Sequence, residues 1–424
     1  MSEIEQTPDS PGGIFPRFFR HFPANLRPVF IISVLNSAGF SFSLPFLALY
    51  LHQQRDVSMA LVGLFILASG LFAAGVQMYA GMLCDRYGRR PLIIWSQFTN
   101  VIFYLMMAVL IYRAAPVWEI IITYILVRAS LMASRPATSA LVVDIMPTGR
   151  LVEGYGILRL GQNLGFGLGP VIGGYFWLSA SYAWLFVAAA VIGGAALGVS
   201  YFKLKESSIS LNMEKITLKA MVSTANDKAF LGFTLISVIA FMGLGQFIST
   251  LSVYSVDRIG LTTVQYGSLL MLNAVLVVTL QYPMSRLINR MKRALALLLG
   301  MVIYAVGYLM VGAVGVYWLV LFAMGIITLG EVIFSPISMT VVSEMSPANW
   351  RGRYQGFYGL AETLGISLGP TLGGALLDMT APDGRLALWG PIAGIILFSG
   401  FAFYFWGKRQ YPSINPGKSI CKPN

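Results

Sequence analysis

Charge is scarce in this chain. Only 11% of its 424 residues are Asp, Glu, Lys or Arg, against about a quarter in a soluble globular domain, which excludes a water-soluble globule. Cysteine and histidine occur twice each, as Cys84, Cys421, His21 and His52. So few residues supply neither a disulfide framework nor a Cys/His metal cluster, and no metal site is expected. HExxH and GxSxG are missing, and both histidines stand at the edges of apolar stretches, so no catalytic constellation is visible and an enzyme is not expected. The nearest approach to a phosphate loop, Gly417-Lys418-Ser419, has Pro412 where the first glycine of GxxxxGK[ST] belongs and follows no strand, which rejects a nucleotide site. Cys421 is fourth from the end, but Lys422 and Pro423 replace the aliphatic pair of a prenylation box. No cofactor is expected.

What the chain has instead is apolar length. Hydrophobic residues make up 57% of it and its mean hydropathy is +0.73. Stretches of about twenty such residues cross a hydrocarbon core of ~30 Å. Twelve fit the sequence, at about 29–51, 61–83, 92–112, 118–146, 155–178, 182–202, 230–254, 266–288, 294–314, 316–345, 354–377 and 386–407. They fall into a six-span unit at 28–202 and another at 230–407. A mixed-charge linker at 203–229 joins the units, and short polar segments at 1–27 and 408–424 flank them. The first 27 residues carry Glu3, Glu5 and Asp9 and lack the basic start and short apolar core of a signal peptide, so none is expected.

The two units are copies. Residues 161–174 read GQNLGFGLGPVIGG and residues 361–374 read AETLGISLGPTLGG, two hundred positions apart. The same shift pairs Pro136 with Pro336, Asp144 with Glu344 and Gly156 with Gly356. Secondary transporters are commonly built from such repeats, with the substrate site between them. Lys and Arg concentrate in cytoplasmic loops. With the N-terminus inside, 22 of the 29 basic residues fall on the inner side, so both termini are expected in the cytoplasm and the protein in a cell (inner) membrane. This placement accounts for the net charge of +12 and leaves no basic soluble domain for nucleic acid.

Two motifs carry chemistry. Gly161, Gly165 and Gly169 recur every four residues on the fifth span, ahead of Pro170, Gly173 and Gly174, and Gly365, Gly369, Pro370, Gly373 and Gly374 repeat the run with Ala361 first. Small residues at this spacing form a smooth ridge against which another helix packs closely. The second motif is Gly81-Met-Leu-Cys-Asp85-Arg86-Tyr-Gly88-Arg89-Arg90-Pro91, in the loop after the second span. There Asp85 can accept hydrogen bonds from a helix N-terminus, and the arginines can pair with Asp144. The pseudo-equivalent loop, PMSRLINRMKRA, has Leu287 where Asp85 stands, which predicts an asymmetric latch. Asp144 to Arg150 is echoed by Glu344 to Arg351 and Arg353.

These motifs resemble the major facilitator superfamily over residues 28–407, and within it the twelve-span drug:proton antiporters of the MdtH-like and LmrP-like kind. The resemblance implies an all-α membrane fold of two pseudo-symmetric six-helix bundles around a central cavity. It also implies that the glycine run is an antiporter motif, that the second-span loop latches the halves on the inner side, and that gating belongs to Gly81, Asp85, Arg86, Gly88, Arg89, Asp144, Arg150, Glu344 and Arg351. Arg128 resembles the arginine of the family's fourth-span RxxxG motif, with Met132 in the glycine position. Glu331 resembles the tenth-span acid of LmrP-like exporters.

Ionisable residues deep in spans are costly and usually functional. The candidates are Arg128 and Arg135, two turns apart on one face of span four, and Glu331 and Glu362 for proton coupling. Desolvation favours a neutral carboxylate and a neighbouring arginine favours a charged one, a balance that permits a protonation switch. The repeat sets Glu331 opposite Leu131 and Arg128 opposite Thr328, so an attraction between Glu331 and Arg128 across the cavity is expected. The competing readings are a permanent ion pair of Glu331 with Arg128 or Arg135, and of Glu362 with Arg159. Asn36, Phe40, Gln246 and Asn273 join Arg128, Arg135 and Glu331 as the expected cavity wall.

The function these features predict is proton-coupled antiport exporting small amphipathic or cationic compounds from a single chain. The alternatives are a narrow exporter of a siderophore, sugar or lipid-like metabolite, and an uptake symporter or non-transporting receptor. The expected partners are a small-molecule substrate, protons and the lipid bilayer.

Overall fold

The computed structural model describes residues 22–57, 59–147, 149–179, 182–206, 223–247, 250–313, 315–381 and 384–410. His21, most of the linker, Gly417-Lys418-Ser419 and Cys421 lie outside the described residues, as do the side chains of 168–179.

Every regular element among the described residues is helical. The spans are Leu26–Gln53 (α1), Met59–Tyr87 (α2), Arg89–Tyr112 (α3), Val117–Ile145 (α4), Leu151–Ser179 (α5), Tyr182–Phe202 (α6), Lys228–Gly245 (α7), Thr263–Ile288 (α8), Arg293–Ala313 (α9), Tyr317–Met345 (α10), Arg351–Met379 (α11) and Arg385–Gln410 (α12). Ten of the helices are long and apolar enough, among the described residues, to cross a membrane. Water is absent from the hydrocarbon, so each backbone amide must be satisfied within its own segment, which a helix does. Local chemistry sets the ends. Asp227 caps α7, accepting from the amides of Ala229 and Phe230 at 3.0 Å each. Thr262 and Gln265 form a reciprocal capping box on α8. Gly88, at φ 101°, makes the reversal between α2 and α3 that residues with a side chain rarely adopt.

The seventh span differs from the continuous helix the sequence predicts. α7 stops at Gly245, and a short helical piece, Thr250–Val253, leads into a wide turn at Tyr254–Arg258. Gln246 holds this break. Its side-chain amide donates to Gly369 O of α11 at 2.7 Å, and its carbonyl accepts from Thr250 Oγ1 at 2.7 Å. Gln246 is fully buried between α7 and α11 rather than on the cavity wall.

The packing follows the repeat. α1 lies on α5 and α6, α2 on α4, and α3 on α4 and α6; α7 lies on α11 and α12, α8 on α10, and α9 on α10 and α12. The halves meet through α2 with α11 and through α5 with α8. The glycine runs act within each half. A Cβ at Gly165 would strike Val34 O and Ala38 N of α1. One at Gly369 would lie 2.5 Å from Met242 O of α7. Pro370 continues within α11. Gly169, Pro170, Gly173 and Gly174 lie on the helical path of α5, with their side-chain surroundings outside the described residues.

Candidate functional site

Where the helices on either side of the α2–α3 and α8–α9 turns meet, the halves are locked. Gly81 of α2 and Gly352 of α11 bring their backbones so close that a Cβ on either would overlap the other's carbonyl. That approach delivers the Asp85 carboxylate to the start of α11, where Oδ1 accepts from Gly352 N and Oδ2 from Arg353 N, each at 2.8 Å. The positive end of the helix faces a carboxylate that is 1% exposed. Asp144, on the last turn of α4, accepts from Arg89 Nε at 3.0 Å and also pairs with Arg351 Nη1 of the other half. The repeat mate reproduces the first of these contacts, with Glu344 holding Arg293 at 3.1 Å.

Leu287 is not the counterpart of Asp85. A Cβ on Gly156 of α5 would meet the Gln281 carbonyl of α8, as one on Gly356 of α11 would meet the Gln77 carbonyl of α2. This contact aligns α8 with α2 at a shift of 204, four more than the repeat, and brings Asn289 to the place of Asp85. The Asn289 side-chain amide donates to Gly149 O, just before α5. The latch therefore has two sides, one anionic and one neutral. Arg86 lies over the Tyr87 ring at 5.4 Å and has no acidic partner among the described residues. Arg150 pairs with Glu153 three residues on, at 2.6 Å, and lies over the Phe22 ring at 5.3 Å. The hydrogen bond to Glu153 raises the Arg150 guanidinium above its ordinary value and keeps it charged. Glu206, at the start of the linker, accepts from the amides of Arg89 and Arg90 at 3.0 and 3.1 Å, capping α3.

Inward of the latch is a second tie that the sequence did not single out. Tyr155 OH donates to Ser139 O at 3.2 Å and contacts Ser343 Oγ; Gln355 donates to Tyr155 OH at 3.0 Å and to Ser343 at 2.8 Å. Tyr155 and Gln355 are repeat mates, so they meet across the pseudo-twofold relating the halves. Above them opens a cavity of about 430 Å³, whose wall includes Asn36, Phe40, Arg135, Arg159, Phe166 and Glu362.

The intramembrane charges are paired differently from the expectation. Glu331 pairs with Arg159 of α5, and its other oxygen accepts from Asn273 Nδ2 at 2.9 Å. Asn273 also donates to Thr328 Oγ1 at 3.0 Å, so it orients Glu331 from a buried position. Glu362 pairs with Arg135 at 3.3 Å. Arg128 meets neither acid and lies over the Phe40 ring at 5.5 Å. The reason is which helices touch: across the halves α5 packs on α10 and α4 on α11. Both pairs join an arginine of the first half to a glutamate of the second.

The family model of the Major Facilitator Superfamily matches residues 29–370 and again 264–419. The chain belongs to that superfamily. The MFS-type transporter YqjV of Bacillus subtilis (strain 168) is 26% identical over 392 residues, covering 90% of this chain and 93% of the relative. The multidrug resistance protein MdtH of Salmonella paratyphi B is 22% identical over 398 residues, with 91% and 96% covered. The crystal structure of the human organic anion transporter MFSD10 superposes with a TM-score of 0.78 at 16% identity, covering 90% of this chain and 99% of the other. The transporter thus has the superfamily fold, two six-helix bundles around a central cavity, as the repeat predicts. Asn289, Glu206 and the Tyr155–Gln355 tie went unnoticed in the sequence; the repeat alone could have flagged the last.

Proposed function

We propose that the protein is a proton-coupled secondary transporter that exports small amphipathic compounds by alternating access, working as a monomer in the cell membrane. The observation that carries this reading is the pair of intramembrane ion pairs, Arg159 with Glu331 and Arg135 with Glu362, each running from one half to the other beside the cavity. A proton on either carboxylate oxygen removes the charge that holds the arginine, so protonation loosens a tie between the halves. Rocking of the halves and proton binding then become one equilibrium.

The latch end faces the cytoplasm on the positive-inside assignment, so the arrangement described has its inner side closed. In the working cycle, a proton arriving from outside neutralises Glu331 and frees Arg159. The halves rock, the Asp85 and Asp144 contacts part, and the inner side opens. Substrate entering there and loss of the proton to the cytoplasm reset the ion pair. One chain supplies the cavity, both pairs and the latch, and the relation to MdtH, a multidrug resistance protein, supports efflux of amphipathic compounds.

The test is transport in proteoliposomes under an imposed pH gradient, using ethidium and naphthalene-1-acetate as fluorescent probes, with the native protein and Glu331→Gln. Native protein moves at least one probe uphill; Glu331→Gln loses uphill movement yet retains counterflow exchange. Uphill movement that survives in Glu331→Gln and in Glu362→Gln alike refutes coupling through these carboxylates.

A further inference from the structure

Arg128 is the cation that the two ion pairs leave over. The first half brings three arginines to the cavity region, Arg128, Arg135 and Arg159, and the second half brings two glutamates, Glu331 and Glu362. Pairing uses both carboxylates and two of the arginines. No carboxylate among the described residues lies within ion-pair distance of Arg128, and its Nε is buried without a hydrogen-bond partner. A guanidinium in a low-dielectric wall without a counter-charge is costly, and the loss is recovered when an anion supplies both charge and acceptors.

The surroundings of Arg128 are built for a ligand with an apolar body. The guanidinium lies over Phe40 and beside Gly70 of α2, where a Cβ would sit in ordinary contact with Nη2 at 3.7 Å. Phe40 in turn stacks with Phe166 of α5, centroids 6.4 Å apart and planes 29° from parallel. Both rings line the cavity, as do Leu131 and Met132, one turn along the same face of α4 from Arg128. The result is an aromatic wall with a cation at its edge. Among the described residues, a cationic amphiphile finds no free carboxylate here unless an inter-half pair opens first.

We propose that Arg128, Phe40 and Phe166 form a subsite for an amphipathic organic anion, an aromatic body carrying one carboxylate or sulfonate. The body lies against the two phenylalanines and the anionic group reaches the Arg128 guanidinium, which offers the planar, paired donors such groups match. This names the charge class of the substrate and rests on reading the cavity as the substrate site. It reverses the preference for cations that the sequence suggested.

The test compares two probes that share a naphthylmethyl body and carry opposite charge, naphthalene-1-acetate and 1-naphthylmethylammonium, binding to the full chain in detergent by titration calorimetry. The native protein is expected to bind the anion about tenfold or more tighter than the cation, the gain of one charge-assisted contact. Arg128→Gln loses that preference, Arg128→Lys keeps part of it, and Phe40→Ala weakens both probes. Equal affinity of the two probes for the native protein overturns the subsite, as does anion affinity unchanged in Arg128→Gln. If Arg128→Gln fails to fold, the native ratio and Arg128→Lys decide the matter. Binding in detergent needs no gradient. Arg128-dependent anion binding without gradient-driven transport leaves the subsite standing and removes proton coupling. Gradient-driven ethidium movement with no anion binding does the reverse.

Discussion

Replacing Asp85 by Asn tests the latch at its tightest point. The carboxylate accepts two backbone hydrogen bonds at 2.8 Å from the first turn of α11, and bonds to charged groups contribute about 1.5–3 kcal/mol each. Asn retains one acceptor oxygen. Its amide then points two hydrogens at a backbone N–H, so one bond is lost outright and the other loses its charge assistance. A cost of about 2–3 kcal/mol to the latched arrangement follows, a shift of roughly 30- to 150-fold in the ratio of latched to unlatched molecules. Hydrogen–deuterium exchange over residues 348–358 reads this directly, because the Gly352 and Arg353 amides are the ones released. Asn289→Ala on the opposite side removes a neutral bond to Gly149 O, worth about 1 kcal/mol, and should speed exchange at the start of α5 by a smaller factor. If Asp85→Asn folds and the 348–358 amides exchange at the native rate, the carboxylate does not hold the halves. Equal effects of the two substitutions would show that charge contributes nothing to the latch.

Two further outcomes follow from packing and charge. Gly→Ala within a helix ordinarily stabilises by about 1 kcal/mol. Gly369→Ala should instead lower the melting temperature, because its Cβ meets α7 backbone at Met242, whereas Gly374→Ala, with nothing within 4 Å, should be neutral or stabilising. Thermal unfolding in detergent separates the two although they belong to one motif. Asp144→Asn breaks contacts to both Arg89 and Arg351 at a site 3% exposed and should cost about 3 kcal/mol or more; Glu344→Gln loses only Arg293 and should cost less. The order of their melting temperatures checks this.

The sequence revealed features whose cause is local or repeated. The glycine ridges were legible because close helix packing demands small residues every four positions. Asp85 was legible because a carboxylate beside a glycine-rich turn suits a helix N-terminus, although which helix, α11, depended on the fold. The counterpart of Asp85 was not legible. The two-hundred-residue shift of the glycine runs carries Asp85 to Ser285, whereas the contacts of α8 set the local shift four residues longer and select Asn289. The break at Gln246 was hidden for another reason: an amide in an apolar run reads as a cavity residue until its partner, Gly369 O, is known.

Pairing of the membrane charges was beyond the sequence because a repeat relates residues by symmetry, and symmetry mates are not neighbours. The resulting polarity is systematic. At the latch the first half supplies carboxylates, Asp85 and Asp144, to the α11 N-terminus and Arg351 of the second half. At the cavity the first half supplies arginines to the glutamates of the second. A slip that brought the first half's latch level with the cavity would set its carboxylates against the glutamates of the second half, so the alternation disfavours that register. Exchanging one pair separates register from simple attraction. Arg135→Glu alone faces Glu362, and Glu362→Arg alone faces Arg135, each a like-charge contact; the double substitution restores a pair of reversed sign. The side chains are 33% and 24% exposed, so the coupling should be modest, about 1 kcal/mol. The double variant should melt above both single variants by a few degrees. If it melts no higher than the less stable single variant, the Arg135–Glu362 contact does not tie the halves, and Arg159–Glu331 must carry that role alone.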